Sequence, residues 1–393
     1  MSTSRAFLRL SGIGILLASI AVTSAQAAST DRWPMYQGNP EHTGYVPQIL
    51  LPKLATQLWS SVAQGGAPSG LAISDGLVLT TPTTYFHSTA PLVAQSLATG
   101  DILWSVDFGS VYSVNQPAVD NGVIYLQTSD NGGATYLHAY QVDGTFLWRA
   151  PFDSQWENYL GPTIVNGQVY FDGGTYGGCY SFDEASGTMN WYTGLPQYDM
   201  WTPTWDNGEL LAYTDELDII TPDTGVILAT ISDPNYLWQG YSPNQAPVAI
   251  GNFAYVTNGN RLVVFDTLNH DIAWGLNISA TGQVATDGTE LFVIAGGALT
   301  ARDPASGSLL WSWVPTPTGS VTTNIIVTKN IVIAGDGTNT YLVDRSTHKT
   351  VATLPGSGML AYGADVLAIA QSTGTVTAYY LPSDEIFSGR FGD

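Results

Sequence analysis

The chain has 393 residues, with 32 acidic and 11 basic side chains and a formal net charge of −21. So acidic a chain repels phosphate backbones and anionic lipid headgroups, which excludes nucleic acid as a partner. Apolar residues make up 44 % of the sequence, which excludes an intrinsically disordered protein.

The first 27 residues have the composition of a signal peptide. Arg5 and Arg9 form a basic start, residues 13–22 are apolar, and Ala25 and Ala27 place small residues around a cleavage point. The apolar stretch is short for a membrane span, and no cysteine stands near the cleavage point to carry a lipid. We therefore expect an exported monomer without a membrane anchor, either periplasmic or secreted.

A sequence motif repeats about every 40 residues along the rest of the chain. In it, a tryptophan or alanine follows a turn residue by four positions, and one further tryptophan stands alone near the N-terminus. The repeated positions are Trp59, Trp104, Trp148, Trp191, Ala229, Trp274, Trp311 and Ala352, with spacings of 45, 44, 43, 38, 45, 37 and 41 residues. Strand-rich repeats of this length predict a β-propeller.

Each repeat is predicted to be a four-stranded antiparallel meander. In residues 113–151, the tight turn Asn121-Gly122 separates two short strands, and Asp143-Gly144 leads into the last one. Equivalent first turns recur in phase in all eight repeats, for example Asp75-Gly76. A parallel β-helix is the competing architecture, but its coils are shorter and lack paired tight hairpins.

The ends of the chain predict how the ring closes. Only three strands follow Ala352, and the strand of Trp59 has no repeat of its own. We expect that N-terminal strand to complete the last blade, which gives an all-β, eight-bladed propeller without an exposed seam. Seven blades would result if the final repeat were a cap. The expected organisation is a leading segment at residues 28–53, a propeller at 54–383 and a tail at 384–393.

The repeat resembles that of a known family. Residues 180–191, with Tyr180, Phe182, Gly187 and Trp191, are similar to the tryptophan-docking repeat of quinoprotein-type, or PQQ-like, β-propellers. Residues 33–44 resemble the segment that precedes the first blade in that family. The resemblance implies that the repeat tryptophans pack between blades. Ala229 and Ala352 depart from the motif, so we expect looser packing there.

Three successive connections between blades carry aromatic residues that strand periodicity does not explain. They lie at residues 153–159, 197–205 and 233–241, where an outermost strand leads to the next innermost one. Aromatic rings beside carboxylates suit a ligand-binding surface, although the same rings could only plug the channel. The candidate binding residues are Trp156, Glu157, Tyr159, Tyr198, Asp199, Trp201, Tyr236, Trp238 and Tyr241.

No catalytic set can be assembled from the sequence. The resemblance implies that a quinoprotein dehydrogenase would need adjacent cysteines and calcium ligands, whereas Cys179 is the single cysteine and sits on a strand as an expected buried thiol. A polysaccharide lyase would need cationic groups and a base near the site, and the aromatic loops contain none. A glycosidase would need two facing carboxylates. The adjacent loops carry Glu157, Asp199 and Asp233, so this class of enzyme stays an alternative.

We therefore predict a non-catalytic, exported propeller that binds a protein partner, a small molecule or a glycan through these aromatic loops. No cofactor is predicted. The alternative is an enzyme that acts on sugars or alcohols at the same loops, either as a glycan-active enzyme or as an oxidoreductase dependent on pyrroloquinoline quinone (PQQ) and calcium.

Overall fold

The computed structural model describes residues 32–62, 66–83, 91–130, 133–155, 158–315 and 319–384. They form eight mostly antiparallel sheets and two short 3-10 helices, Tyr36–Gly38 and Pro52–Leu54. The first strand of each sheet contacts the first strands of both neighbouring sheets around a closed ring. The prediction of an eight-bladed β-propeller is confirmed. The predicted signal peptide and nearly all of the predicted tail lie outside the described residues.

In blades 1 to 7 the four main strands follow one another in the chain from the channel outwards, whereas the outermost strand of blade 8 comes from the N-terminal end. Blades 1 to 4 consist of Pro68–Ser74, Leu77–Pro82, Pro91–Ser96 and Ile102–Asp107; Val111–Val114 with Ala118–Asp120, Val123–Asp130, Thr135–Gln141 and Phe146–Phe152; Thr163–Val165, Gln168–Asp172, Gly178–Asp183 and Met189–Gly194; and Thr204–Asp206, Glu209–Tyr213, Glu216–Ile220 and Ile227–Ser232. Blades 5 to 8 consist of Val248–Ile250, Phe253–Asn258, Arg261–Asp266 and Asp271–Asn277; Ala280–Thr286, Leu291–Ala295, Ala298–Arg302 and Leu309–Trp313; Ile326–Thr328, Ile331–Gly335, Asn339–Asp344 and Lys349–Pro355, with Tyr45–Val46 added in parallel; and Met359–Gly363, Val366–Ala370, Thr375–Tyr380 and Thr56–Val62.

Tight hairpins between the first two strands set the register of the blades. In blade 2, Asn121 and Gly122 have φ angles of 45° and 77°. Two successive residues with positive φ make the turn whose twist matches that of antiparallel strands, and Asn-Gly tolerates this conformation well. The turn therefore fixes which residues of Val123–Asp130 face the neighbouring blades.

The ring closes through the N-terminal strand. Thr56–Val62 pairs antiparallel with Thr375–Tyr380 as the outermost strand of blade 8, and Trp59 lies opposite Ala378. The predicted closure is confirmed, because strands from the two ends of the chain share one sheet. Opening the ring would break a full strand pairing.

The repeat tryptophans dock on the next blade, as predicted. The Trp59 Nε1–H donates to the Leu97 carbonyl at 2.9 Å, and a Cβ added to Gly100 would lie 2.5 Å from the Trp59 ring. The indoles that lie this close to the turn glycine of the following blade are Trp59, Trp104, Trp148, Trp191 and Trp274. The glycine is needed because the ring occupies the space of a side chain.

Two turns in the series carry histidine instead of glycine. His270 follows the blade that has Ala229 in place of tryptophan, so no indole occupies the space above it. His348 does face an indole, and its ring stacks on Trp311 at 4.6 Å with an interplanar angle of 12°. The Trp311 Nε1–H donates to Glu290 of its own blade at 2.7 Å instead of to a backbone carbonyl.

Apolar cores lie between neighbouring blades. Leu79 and Ala94 of blade 1, for example, pack in one cluster with Val119 and Ile124 of blade 2. Cys179 is fully buried, as its position on a strand predicts, and this burial raises the pKa of its thiol. The thiol is therefore held protonated in the interior.

The segment before the first blade crosses one end of the central channel. Its backbone carbonyls accept hydrogen bonds from the innermost strands of several blades. The donor and acceptor pairs are Val119 to Pro34, Trp205 to Pro40, Ala249 to Glu41, Thr286 to Thr43 and Val327 to Gly44. Each donor is the second residue before a hairpin turn, so residues 33–44 form a floor at the hairpin end of the channel.

Candidate functional site

The opposite face of the ring carries the connections between blades and is here called the mouth face. All three aromatic connections predicted from the sequence lie on it. Gln197 of the second connection donates to Gln155 of the first at 2.5 Å, and the backbone N–H of Asp199 donates to the carbonyl of Tyr241 in the third at 2.8 Å. The structure therefore brings the three connections together in one sector, as expected for neighbouring blades.

The third connection is fixed to blade 5 by a buried ion pair. The Arg261 Nε–H donates to Asp233 Oδ2 at 2.9 Å, and the two side chains are 10 % and 0 % exposed. Leu237, four residues after Asp233, is held by the Asn258 side chain, which accepts its N–H at 2.9 Å and donates to its carbonyl at 3.1 Å. These contacts hold the connection at two points, Asp233 and Leu237, against the second and third strands of blade 5.

Beyond these anchors the loop exposes aromatic rings. Trp238 is 60 % exposed and Tyr241 is 50 % exposed. The two rings meet edge to face with their centroids 5.5 Å apart, and Leu237 beside them is 57 % exposed. Tyr236 is half-buried, and its hydroxyl hydrogen-bonds that of Tyr198 at 2.8 Å. We call Tyr236, Leu237, Trp238 and Tyr241 the aromatic patch.

The second connection supports the patch from below. Tyr198 is buried, and its ring centroid lies 6.1 Å from that of Tyr241. The Ser242 hydroxyl donates to Asp199 at 2.5 Å. Trp201 is fully buried, with its Nε1–H donating to the Tyr198 carbonyl at 3.3 Å and its backbone bridged to Gln245. A ligand on the surface therefore meets the patch and not the Trp201 ring.

Two buried carboxylates hold the second connection in place. Asp172, at the end of a blade 3 strand, accepts backbone hydrogen bonds from Met200 and Trp201. Burial raises the pKa of Asp172 well above its usual range, and the nearby Asp199 carboxylate raises it further. Burial also raises the pKa of Asp199, against the lowering effect of the Ser242 hydroxyl. Of the acidic residues predicted as ligand contacts, Asp199 is therefore largely enclosed, and Glu157 lies outside the described residues.

The first connection contributes a separate groove. Tyr159 is buried, its backbone N–H donates to the Asn115 side chain at 3.0 Å, and it lines a groove of about 350 Å³ together with Met200 and Met359. Trp156 and Glu157 lie outside the described residues. The predicted site thus divides into an exposed patch, a buried support and a groove nearer the channel.

A larger cavity in the centre of the ring was not predicted. Its volume is about 690 Å³, its floor includes Trp33, Tyr36 and Gln37, and its walls come from blades 1, 2, 6, 7 and 8. The sequence identified residues 33–44 by resemblance alone, with no signal that they close a channel. The cavity walls come from positions far apart in the chain, so no local motif marks them.

The described residues contain no group of three or more His, Cys, Asp or Glu side chains placed to hold a metal ion. His42 and His138 are buried, His270 and His348 lie in turns before outermost strands, and His87 is outside the described ranges. Within that part of the chain, no histidine faces the aromatic patch. No helix in the described ranges has the length and apolar character needed to span a membrane.

Comparison with solved structures shows the same architecture at low identity. BamB from Moraxella catarrhalis aligns over 83 % of this chain and 99 % of its own, with 14 % identity and a TM-score of 0.65. The quinohemoprotein alcohol dehydrogenase from Comamonas testosteroni aligns over 90 % of this chain and 81 % of its own, with 15 % identity and a TM-score of 0.70. The computationally designed Ika8 protein aligns over 82 % and 99 %, with 15 % identity and a TM-score of 0.67. At these identities the likeness concerns the fold.

A family model adds evidence from the sequence itself. The model described as outer membrane protein assembly factor BamB matches residues 52–139 and 132–313. No curated protein sequence matches the chain. Because the matched segments span most of the ring, the chain belongs to the PQQ-like β-propeller family whose model is described as outer membrane protein assembly factor BamB.

Proposed function

We propose that this chain is an exported, non-catalytic propeller that binds a protein partner on its mouth face through the aromatic patch. The observation that carries the proposal is the exposure of Trp238 and Tyr241 on a connection fixed by the buried Arg261–Asp233 pair. Exposed aromatic rings on a preorganised loop lose little conformational entropy on binding. Tryptophan and tyrosine are also the residues that most often dominate the energy of protein interfaces.

The charge around the patch indicates the chemistry of the partner. The carboxylate of Asp215 acts electrostatically on both Tyr198 and Tyr236, so it lies close to the patch. The whole chain carries a net charge of −21. A partner segment with apolar and basic side chains would therefore bury the rings and complement the field. Such a surface would discriminate against acidic partners.

The family supports a partner-binding role, and the sequence supports export. The matching family model is described as a protein assembly factor, and a structurally similar protein is BamB. Residues 1–27 have the pattern of a signal peptide. On this proposal the mature chain meets its partner in the periplasm or outside the cell.

The residues of the central cavity do not fit the quinone of the dehydrogenases in this fold. PQQ carries three carboxylates, and a site for it needs basic or metal counter-charges. Among the described residues that line the cavity, none is basic, and none is a carboxylate that could hold a counter-cation. We therefore derive no oxidoreductase step for this chain.

The proposal is tested by recovering partners from an extract of the source cells with the tagged mature protein. We expect a defined protein to be recovered with wild type and lost with Trp238→Ser/Tyr241→Ser. Truncating two central aromatic contacts of an interface costs on the order of 2 kcal/mol or more, or at least about thirtyfold in affinity.

The matched control is Phe146→Ser, which removes another aromatic ring, 53 % exposed, from the outer strand of blade 2. It should recover the same protein as wild type. Equal recovery by all three proteins would show that the aromatic patch does not bind the partner.

A further inference from the structure

We propose that the central cavity is a second binding site, specific for an uncharged, hydroxyl-rich small molecule of the neutral saccharide class. This inference does not depend on the proposed protein partner, because the cavity and the aromatic patch share no residue. It follows from three features of the cavity: its closed floor, its unused polar groups and its lack of charge.

The floor closes the cavity at the hairpin end of the channel. Tyr36 and Gln37 form part of it, and the Tyr36 hydroxyl donates to Gln283 of blade 6 at 3.2 Å. Gln37 adopts a left-handed conformation, with φ of 54°, and its side chain accepts a hydrogen bond from Asn324 of blade 7 at 3.1 Å. A volume of about 690 Å³ lies within the range of ~300–1,000 Å³ that small-molecule sites occupy.

The walls present polar side chains that the protein leaves unused. The side chains of Gln116, Thr281, Thr322 and Ser372 line the cavity and make no hydrogen bond to any of the described residues. Gln37 is 3 % exposed, and its Nε2 has no partner among them either. Hydroxyl and carboxamide groups both donate and accept, as sugar hydroxyls do. The unused groups come from blades 2, 6, 7 and 8 and from the floor, around one space, which suits a ligand with hydroxyls in several directions.

The described lining of the cavity is uncharged in a strongly acidic protein. Among the described residues that line it, Tyr36 alone has an ionisable side chain, and burial raises the pKa of that phenol, which keeps it uncharged. An anionic or cationic ligand would lose its hydration without gaining a counter-charge. A neutral ligand avoids this cost. Leu71, Met359 and Leu360 add apolar wall that can cover the C–H faces of a sugar ring.

The test uses saturation-transfer NMR on the purified mature protein with the neutral disaccharides cellobiose, maltose and chitobiose, and with digalacturonate as the anionic comparison. We expect transfer to at least one neutral disaccharide at millimolar concentration and none to digalacturonate. Gln116→Leu/Thr322→Val removes two unused hydrogen-bonding groups and should weaken binding by about tenfold or more. Because neither side chain has a described partner, the thermal unfolding of this variant should match wild type.

Two further variants separate the cavity from the rest of the molecule. Ser372→Trp fills the cavity from an exposed position and should abolish binding, whereas Gln141→Leu, at the exposed end of the third strand of blade 2, should leave binding unchanged. Trp238→Ser/Tyr241→Ser should also retain it, even if that variant loses a protein partner. Transfer to digalacturonate equal to that of the neutral sugars, no transfer to any of them, or binding unaffected by Ser372→Trp would overturn the proposal.

Discussion

Arg261 on the third strand of blade 5 donates through Nε–H to the carboxylate of Asp233 at 2.9 Å, in a setting where both side chains are largely enclosed. The pair connects a rigid blade to the start of the loop that carries Trp238. Together with the Asn258 contacts to Leu237, the pair fixes how the aromatic patch is presented.

Removing one partner of the pair should destabilise the protein and loosen the loop. Arg261→Met leaves Asp233 buried without a counter-charge, which costs roughly 3–5 kcal/mol. Urea unfolding should show this loss, and amide exchange of residues 236–241 should accelerate. Arg149→Met, at an exposed arginine, should change neither. Unchanged exchange in Arg261→Met would show that other contacts hold the loop.

The docking glycines can be separated from ordinary turn glycines within one blade. Gly76 and Gly100 of blade 1 have φ angles of 76° and 75°, so alanine meets the same backbone strain of about 1–2 kcal/mol at either position. A Cβ at Gly76 meets nothing within 4 Å, whereas at Gly100 it lies 2.5 Å from the Trp59 ring. Gly100→Ala should therefore cost a further ~1–3 kcal/mol in the free energy of unfolding. Equal losses would contradict the docking interpretation.

Replacing the tryptophans of two neighbouring connections should change the free energy of unfolding by very different amounts. Trp201 is fully buried and Trp238 is 60 % exposed. Trp201→Ala should lower the free energy of unfolding by about 3–5 kcal/mol because it leaves a cavity, and Trp238→Ala should change it by roughly 0.5 kcal/mol or less. Denaturant unfolding with a matched far-UV baseline measures both. A large loss in Trp238→Ala would mean that the patch is structural.

The blade 4 hairpin beside the channel floor should become less stable as pH rises. Burial, followed by the charges of Glu41 and Glu209, raises the pKa of Asp206 to about 7 from its ordinary value of 3.8. A carboxyl whose pKa is higher in the folded state stabilises the fold fully below the unfolded pKa, and this stabilisation is lost as pH rises through about 7. Wild type should therefore lose stability relative to Asp206→Asn between about pH 4 and pH 7.

His42 in the floor contributes a pH dependence of stability with the opposite sign, and comparing wild type with Asp206→Asn cancels that contribution. Burial lowers the pKa of this imidazole to about 4, so its contribution is present above its usual pKa and is lost as pH falls. Both proteins contain His42, so only Asp206 changes the difference between them. Parallel pH profiles of the two unfolding free energies would show that Asp206 does not titrate in this range.

The fold was predictable because its signals are local and repeated. The Asn121-Gly122 turn specifies a hairpin by its own backbone preference, and the same turn recurs in phase with the docked indoles. The orphan strand of Trp59 predicted the closure because only one sheet lacked a fourth strand. Two repeats have histidine in place of the turn glycine, and the structure shows why. His270 faces no indole, and His348 stacks on the Trp311 ring.

The site was predictable only in part. The adjacency of the aromatic connections follows from neighbouring blades, but the direction of each ring does not. Trp201 turns inward because the preceding Met200 has φ of 55° and because Asp172 accepts both backbone N–H groups. Neither feature has a periodic signal in the sequence. The central cavity depends on contacts between residues 33–44 and strands up to about 300 residues away, which no local pattern reports.

The most direct test of partner binding at the aromatic patch is site-specific photocrosslinking. A photoreactive residue in place of Gln239, which is exposed between Trp238 and Tyr241, is compared with one at the exposed Thr347 in a turn of blade 7. We predict a discrete crosslinked protein from position 239 alone, with a yield that falls as salt rises because the partner segment is basic. The same crosslinks from both positions, or none from position 239, would contradict the proposed role of the patch.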